Sequence, residues 1–243
     1  MTHSQLYPLE VNSRTGEPFF RLPIANENII ITPPRLSDAP LFGPIINDPR
    51  VSQWLEGPPI PYKDEHAAEW IEVITKESKD ILDELKEEAS NPDGPLKLVD
   101  GCPVRHLREV LPDGTDIYLG DIWIRRTQLE EVIDAVEREK QVEINRSKPR
   151  GDPSIIWGFG NYLASSHHGR GIMSAAMKLI LYSWAIPRMG VRRMAGYTFV
   201  GNIGSVRVFE KSGFVLKGIL DNGKIVRGEH KRLNFLEWEA SES

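Results

Sequence analysis

The spacing of apolar positions changes along the chain, and the two spacings it shows predict a protein that mixes strands and helices. Short apolar or alternating runs predict strands at 28–32, 96–99, 104–110, 117–125, 155–163, 191–200, 214–216 and 231–238. Apolar residues three or four positions apart predict helices at 41–46, 62–88, 127–146, from 172 onward, and at 203–212. This mixed order of elements favours an α+β fold.

Local signals set the expected ends of these elements. Pro187 lacks an amide N–H and is expected to stop the helix that starts near 172. Residues 100–101 are expected to turn between two paired strands, and residues 221–224, with the sequence Asp-Asn-Gly-Lys, are expected to form a hairpin turn. The segment 1–23 is polar with scattered prolines, and it is expected to be an arm that lies over the body or stays loose.

Composition narrows the class of protein. With 40% hydrophobic residues in 243, the chain supports a packed core, and its net charge of −5 argues against a general nucleic-acid binder. The single cysteine excludes an internal disulfide framework and fits a reducing compartment. The start of the chain lacks the pattern of a signal peptide, and no run approaches about 20 apolar residues. A soluble cytoplasmic or nucleocytoplasmic protein without a membrane or nucleic-acid partner is therefore expected.

A glycine-rich turn, Gly169-Arg170-Gly171, joins the strand predicted at 155–163 to the helix that follows. Glycine lets the backbone approach a ligand closely, and the first amides of a helix lack internal partners and carry the positive end of its dipole. Together these features bind phosphate groups. Taken alone, the turn is as consistent with an empty tight turn as with a phosphate site. The absence of a following Lys-Ser/Thr pair and of a third glycine argues against a phosphate-loop NTPase and a dinucleotide-binding domain.

Four ordered pieces of sequence include this turn. They are Gly160-Asn161-Tyr162-Leu163, Gly169-Arg170-Gly171-Ile172, Asn202-Ile203-Gly204-Ser205 and Glu210-Lys211-Ser212-Gly213-Phe214. In this order and spacing they resemble the GNAT superfamily of acetyl-CoA-dependent N-acetyltransferases, and most of all its RimJ/RimL-type branch of ribosomal-protein-alanine N-acetyltransferases. The segment TPPRLSDAPLFGPIINDPRVSQWL, at 32–55, resembles the start of proteins of the same branch.

The resemblance implies the GNAT fold, an α+β architecture. Its sheet is mixed, mostly antiparallel and twisted, with helices on both faces and a V-shaped splay between two central strands, here those that end near Leu163 and Val200. The resemblance further implies a single acetyltransferase domain at 24–243 behind the arm at 1–23, with a helical insertion at about 127–148. The insertion is expected to be a surface helix, with a cover over the acceptor groove or a dimer contact as alternatives.

The same resemblance implies that acetyl-CoA enters the splay as a cosubstrate and assigns residues to it. Cofactor contacts are expected from Leu163, Ala164, Ser165, Ser166, His168, Gly169, Arg170, Gly171, Ile172, Asn202, Arg207 and Lys211. Arg170 would add a positive charge beside the pyrophosphate. Arg207 and Lys211, one helical turn apart, would meet the 3′-phosphate or face solvent. No metal is expected, because the adjacent His167 and His168 cannot easily converge on one ion.

Acetyl transfer to an amine needs a neutral amine, a polarised thioester carbonyl and a proton for the leaving thiolate. The amide of Leu163 is the expected carbonyl donor. The resemblance implies that Ser205, the serine of the N-x-x-S motif, is the proton donor, which fits the presence of Phe209 where many members of the family have a tyrosine. Asn202 is expected to bond the pantetheine amide, although Asn202 and Ser205 also fit an ordinary helix cap.

The general base is the least defined catalytic group. Asp121 is a candidate because a carboxylate on a half-buried strand is either paired or functional. Glu56 and Glu229 are further candidates, and a water chain is an equal alternative.

The acceptor amine stays open between two classes. A protein N-terminus requires an open groove, whereas a small amine requires a closed, acidic pocket to which Glu56, Asp64 and Glu65 would contribute. The aromatic residues of this region line that site or belong to the core; they are Trp54, Tyr62 and Trp70. A third hypothesis is an inactive acyl-CoA-binding or protein-interaction module, because Ser166 replaces the usual Gln or Arg and Phe209 the usual Tyr. The protein is expected to be a monomer or a homodimer.

Overall fold

A nine-stranded sheet is the framework of the computed structural model, which describes residues 4–25, 27–89 and 94–241. The strands lie in the order β1-β2-β3-β4-β5-β6-β7-β9-β8, and every neighbouring pair is antiparallel except β6 and β7. Their bounds are β1 Glu10–Val11, β2 Pro18–Arg21, β3 Ile29–Thr32, β4 His106–Val110, β5 Asp116–Arg126, β6 Ile156–Leu163, β7 Arg193–Phe199, β8 Val215–Val226 and β9 Glu229–Glu239.

Helices cover both faces of this sheet. Their bounds are α1 Ala39–Ile46, α2 Pro49–Ser52, α3 Asp64–Glu88, α4 Ala135–Ser147, α5 Ile172–Ile180, α6 Ile186–Met189 and α7 Ile203–Lys211. One face of β5 and β6, with Tyr118 and Tyr162, packs against α1 and α3. The opposite face, with Ile122 and Trp157, packs against α5 in the main core. The predicted mixed, mostly antiparallel sheet with helices on both faces is confirmed.

The two central strands splay apart, as the resemblance implied. Strands β6 and β7 run parallel but pair only from Ile156 opposite Arg193 to Gly158 opposite Ala195. Beyond Gly158, β6 continues to Leu163 and β7 continues to Phe199 without pairing to each other. The sheet therefore opens into a V at its centre.

The predicted helix stop at Pro187 is wrong. The helix that begins at Ile172 passes through a π-helical turn at Leu181–Ala185 and ends at Gly190, which adopts a positive φ of 70°. The widened turn precedes the proline, and such turns relax the regular pattern of backbone bonds that a missing N–H would otherwise break. Glycine is suited to the left-handed conformation in which the helix ends.

Two further sequence predictions place turns and strands incorrectly. Residues 221–224 lie inside β8 at a register irregularity, and the turn falls at Arg227 and Gly228, whose positive φ angles of 51° and 80° suit a two-residue hairpin. Residues 96–99 do not pair with β4; Val99 donates to the carbonyl of Arg188 at 2.8 Å instead.

The insertion helix, predicted from residue 127, starts at Ala135, because Asp134 caps it by accepting from the amide of Glu137 at 2.8 Å.

The described part of the N-terminal arm belongs to the sheet. Strands β1 and β2 form a hairpin that extends the sheet beyond β3. Arg188, which is fully buried, donates to the carbonyls of Gln5 at 2.8 Å and Lys97 at 3.2 Å and to that of Tyr7, and its guanidinium stacks on Trp184. One arginine thus fastens the arm to the body.

Replacing this arginine is therefore expected to loosen the arm. Arg188→Met leaves buried carbonyls without a donor, so the free energy of unfolding should fall by about 2–4 kcal/mol. Urea unfolding followed by tryptophan fluorescence measures the loss. Arg192→Met is the matched control, because Arg192 is exposed. Equal stability of the two variants would contradict the fastening role of Arg188.

Candidate active site

A cleft of about 1420 Å³ occupies the V between β6 and β7. Its walls come from the loop between α2 and α3, from the ends of β5, β6 and β7, from the start of α5 and from α7. Of the residues predicted for the site, those that line the cleft are Asp121, Leu163, His168, Gly169, Gly171, Ile172, Asn202, Ser205, Arg207 and Lys211. The structure therefore brings most of the predicted site residues into one space.

Backbone groups of β6 face this cleft without a strand partner. The amide of Ala164 donates to the carbonyl of Leu119 at 2.7 Å, and the amide of Thr127 donates to that of Ile156 at 3.0 Å. Because antiparallel bonds alternate along a strand, the N–H and C=O groups of Phe159, Asn161 and Leu163 point away from β5 and toward β7. Since β7 has already diverged there, these groups are available to a ligand, except that the carbonyl of Leu163 already bonds the ring of His168 at 2.9 Å.

The glycine turn presents a second set of amides. Within the described residues, no backbone hydrogen bond uses the amides of 169–174, and the first one bonded is that of Ala175, which donates to the carbonyl of Gly171 at 3.0 Å. Gly169 and Gly171 have φ angles of 78° and 79°, and a Cβ on either would meet open space. This cradle at the start of α5 is suited to an anion.

The loop that carries the cradle is anchored by side chains on three sides. Ser165 donates to Asp48, the N-cap of α2. His167 lies 3.2 Å from Glu109 on β4, and Arg170 bonds Glu27 at 2.9 Å and Glu109 at 3.2 Å. The hydrogen bond from Arg170 lowers the pKa of Glu27, so the pair is fully charged at neutral pH.

Three predicted cofactor residues differ from their expected positions. The amide of Ala164 is occupied by Leu119 and is not available to pantetheine. Arg170 points its guanidinium at two carboxylates, so its charge is neutralised within the protein. Ser166 is exposed, and its hydroxyl bonds the ring of His167 at 2.8 Å. The amides of the cradle are therefore the groups at this turn that are left available to an anion.

Helix α7 presents the predicted catalytic pair to the cleft. Asn202 caps the helix, because its side-chain oxygen accepts from the amide of Ser205 at 3.1 Å. The Ser205 side chain is half-buried in the cleft wall. Phe209 is buried against β7, where Gly196 leaves room for its ring, so it supplies no hydroxyl. Arg207 and Lys211 are exposed on the same helix.

Asp121 is held in a buried ion pair. Both of its oxygens accept from Arg105, at 2.8 and 2.7 Å, and the carboxylate is 1% exposed. The guanidinium of Arg105 also lies over the rings of Trp70 and Trp123. A carboxylate held this way positions the cleft wall, and it is poorly placed to accept a substrate proton.

Tyrosines for which the sequence predicted no role lie in the cleft wall or directly behind it. Tyr162 lines the cleft, and its hydroxyl is 2.7 Å from that of the buried Tyr118. Tyr197 on β7 donates to Glu131. Burial raises the pKa of Tyr118, Tyr162 and Tyr197 well above the usual value, so all three stay protonated at neutral pH. The sequence offered one signal for Tyr197: side chains alternate along a strand, so it lies on the same face of β7 as Phe199.

Comparison with known proteins shows what this arrangement is similar to. Residues 105–215 match the family model described as "Acetyltransferase (GNAT) domain". The matched range contains Asp121, the strands on both sides of the V, the glycine cradle and helix α7. Over this range the chain is similar to GNAT acetyltransferase domains.

Individual relatives agree with this assignment. An 80-residue stretch is 33% identical to "Probable N-acetyltransferase YjcK" of Bacillus subtilis, and it spans 32% of the chain and 44% of that relative. The solved structure of RimJ from Mycobacterium smegmatis in complex with CoA-disulfide is similar over 92% of this chain and 87% of its own, with 18% identity and a TM-score of 0.52. The microcin self-immunity acetyltransferase MccE, solved with acetyl-CoA and AMP, is similar over 88% and 93%, with 16% identity and a TM-score of 0.54. At these identities the two structures establish the fold.

The cleft also includes the aromatic residues that the sequence left between core and site. Trp54, Tyr62 and Trp70 all line the cleft, and Tyr62 is at the same time buried in the cluster beneath α1 and α3. Trp123 reaches over β6, where a Cβ at Gly160 would lie 2.0 Å from its indole ring. In the described residues, no helix is long and apolar enough to cross a membrane.

The buried pair of Asp121 and Arg105 yields a test of the role of Asp121. Asp121→Asn removes the buried carboxylate that holds Arg105 and leaves only the half-exposed Glu77, 3.6 Å away, as its counter-charge, so the free energy of unfolding should fall by about 3–5 kcal/mol. Urea unfolding measures it. The double variant Asp121→Asn with Arg105→Gln should recover part of the loss, because no charge is then left alone. A stable single variant with only its turnover reduced would instead identify Asp121 as the base.

Proposed function

We propose that this protein is an acetyl-CoA-dependent N-acetyltransferase that transfers the acetyl group to a primary amine by direct attack. The observation that supports it most is the loss of pairing between β6 and β7 beyond Gly158, with the anion cradle at the end of the same cleft. The unpaired strand edge followed by the cradle suits a ligand with an extended amide-containing arm and a pyrophosphate. The complexes of MccE with acetyl-CoA and of RimJ with CoA-disulfide support the choice of cosubstrate.

In this proposal the cradle amides from Gly169 to Ile172 bind the pyrophosphate. The unpaired backbone groups of Asn161 and Phe159 bond the pantetheine arm as a strand would, and Asn202 bonds it from the opposite wall. Arg207 and Lys211 lie on α7 where a 3′-phosphate would find positive charge. Arg170 serves the loop and not the phosphate, since its guanidinium already holds Glu27 and Glu109.

The reaction then needs groups at the thioester. The amine nitrogen attacks the carbonyl carbon, and the amide of Leu163 stabilises the negative charge that develops on the oxygen. When the C–S bond breaks, the thiolate of CoA takes a proton from the hydroxyl of Ser205, which in turn takes one from the water of the cleft. Asn202 holds Ser205 in place through the helix cap, so a capping role and a catalytic role coexist at this turn.

The proton on the acceptor amine leaves through water in this proposal. Each carboxylate considered as a base is paired with a cation: Asp121 with Arg105 at 2.7 Å, Glu56 with Lys224 at 2.7 Å, and Glu229 with Lys231. A carboxylate that already neutralises a cation is a weak proton acceptor. Water along the polar wall of the cleft can carry the proton to solvent without breaking any of these ion pairs.

We also propose that the reaction takes place in the cytoplasm.

A charge placed in the cradle tests the cosubstrate. Gly169→Asp or Gly171→Asp should weaken acetyl-CoA binding more than about tenfold, because a carboxylate there repels the pyrophosphate. Calorimetric titration with acetyl-CoA, with ATP as the unrelated nucleotide, measures it. Gly16→Asp is the matched control, since Gly16 also has a positive φ, 73°, and open space around it. Unchanged affinity in the cradle variants would refute the assignment.

A second variant tests the proton donor. Ser205→Ala should lower kcat by about 10²-fold or more, the usual contribution of a positioned acid, while the dissociation constant of acetyl-CoA stays within about twofold. Single-turnover kinetics and calorimetry separate the two. If affinity and kcat fall together, Ser205 acts as part of the helix cap alone. Wild-type binding without turnover on any amine would favour an inactive acyl-CoA-binding module.

A further inference from the structure

The acceptor end of the cleft is crossed by contacts between segments from opposite sides of the V. Arg227, at the tip of the β8–β9 hairpin, donates to the carbonyls of Ser52 at 2.9 Å, Leu55 at 2.9 Å and Pro58 at 3.4 Å. These carbonyls belong to the end of α2 and to the loop that follows it. The hairpin lies beyond β7, whereas α1 packs against β5 on the other side of the gap. A connection between them must pass over the gap.

A second connection is ionic and joins three segments. The ammonium of Lys224 on β8 lies 2.7 Å from Glu56 in the α2–α3 loop and 2.6 Å from Glu130 in the loop after β5. Glu130 is buried, and all three residues line the cleft. Burial lowers the pKa of Lys224, but its hydrogen bonds with Glu130 and Glu56 outweigh that effect and raise it, so the ammonium stays charged. We call Arg227, Lys224, Glu56 and Glu130 the acceptor bridge.

Apolar packing reinforces the bridge from below. Trp54, from the bridged loop, packs against the cluster of Phe199, Val226 and Leu233 on the far side of the gap. A Cβ at Gly201 would lie 3.8 Å from the same indole. The loop therefore rests on β7 and the hairpin through an aromatic side chain as well as through hydrogen bonds, and both kinds of contact would have to break to open the cleft there.

We infer that the acceptor bridge closes the amine end of the cleft and restricts the acceptor to a small primary amine, excluding a protein N-terminus. This inference rests on the proposed function. A peptide must continue out of the cleft past the residue that carries the reacting amine, and the bridge spans that exit. A small amine ends inside, among Trp123, Tyr162 and Tyr197. The bridge residues act on specificity and do not touch the thioester.

Two conjugates that differ only in length test the inference without requiring turnover. In one, CoA is joined through an acetyl linker to the nitrogen of alaninamide; in the other, to the N-terminal nitrogen of a hexapeptide that begins with alanine. Both place the same CoA and the same first residue in the cleft. Calorimetry on the full chain should give at least about tenfold tighter binding of the alaninamide conjugate.

Cutting the bridge should remove this preference. In Lys224→Met combined with Arg227→Met, the two conjugates should bind within about threefold of each other, while CoA alone binds as it does to the wild type. Lys231→Met is the matched control. Lys231 pairs with Lys224 across the same hairpin, but its ion pair is with Glu229 of its own strand, so the tenfold difference should persist. If the double variant fails to fold, Lys224→Met alone is used for the same comparison of the two conjugates.

The outcomes separate the two proposals. A wild type that binds CoA and binds the hexapeptide conjugate as tightly as the alaninamide conjugate overturns the bridge and leaves the acetyltransferase standing. A folded bridge variant that keeps the full preference also overturns it. A wild type that binds neither CoA nor either conjugate overturns the proposed function, and the bridge with it.

Discussion

The broken pairing between β6 and β7 is the constraint on which the rest of this structure depends. A central strand normally satisfies its backbone on both sides, and β6 does so only as far as Gly158. From there to Leu163, one edge of β6 has no strand partner; His168 bonds the carbonyl of Leu163, and the other groups on this edge need partners from outside the sheet. Such an edge is stable inside a domain only where water or a ligand occupies it. The cleft, the cradle at its end and the proposed cosubstrate all follow from this single opening in the sheet.

Keeping a sheet open at its centre requires that both walls be held from outside. The structure does this with charged groups more than with apolar ones. Asp121 and Arg105 fix the β5 wall, Glu109 and Glu27 hold the cradle loop, and the bridge around Lys224 joins the two sides at the acceptor end. Because each of these charges has a partner of opposite sign, they hold the walls without adding net charge beside the ligand.

The same pairing explains which site residues could be found from sequence. Gly169, Gly171, Asn202 and Ser205 lie within short local motifs, so their spacing alone was informative. Asp121 and Arg170 are typical of functional positions by residue type, but their partners, Arg105 and Glu27, lie far from any motif, and only contact reveals that the charges are used internally. Tyr197 and Lys224 carried no signal, because a tyrosine in a strand and a lysine near a predicted turn are ordinary.

The sequence by itself determined the alternation of strands and helices, the glycine cradle and its family resemblance, because these depend on local spacing and on residues that only certain backbone conformations accept. It did not determine the path of the helix through Pro187, the hairpin turn at Arg227 or the place of the N-terminal arm in the sheet. The path through Pro187 depends on the π-helical turn just before it, which the spacing of apolar residues does not reveal, and the other two depend on long-range partners: the α2–α3 loop and the buried Arg188. Tertiary structure decided them because buried polar groups must find partners wherever the chain brings them together.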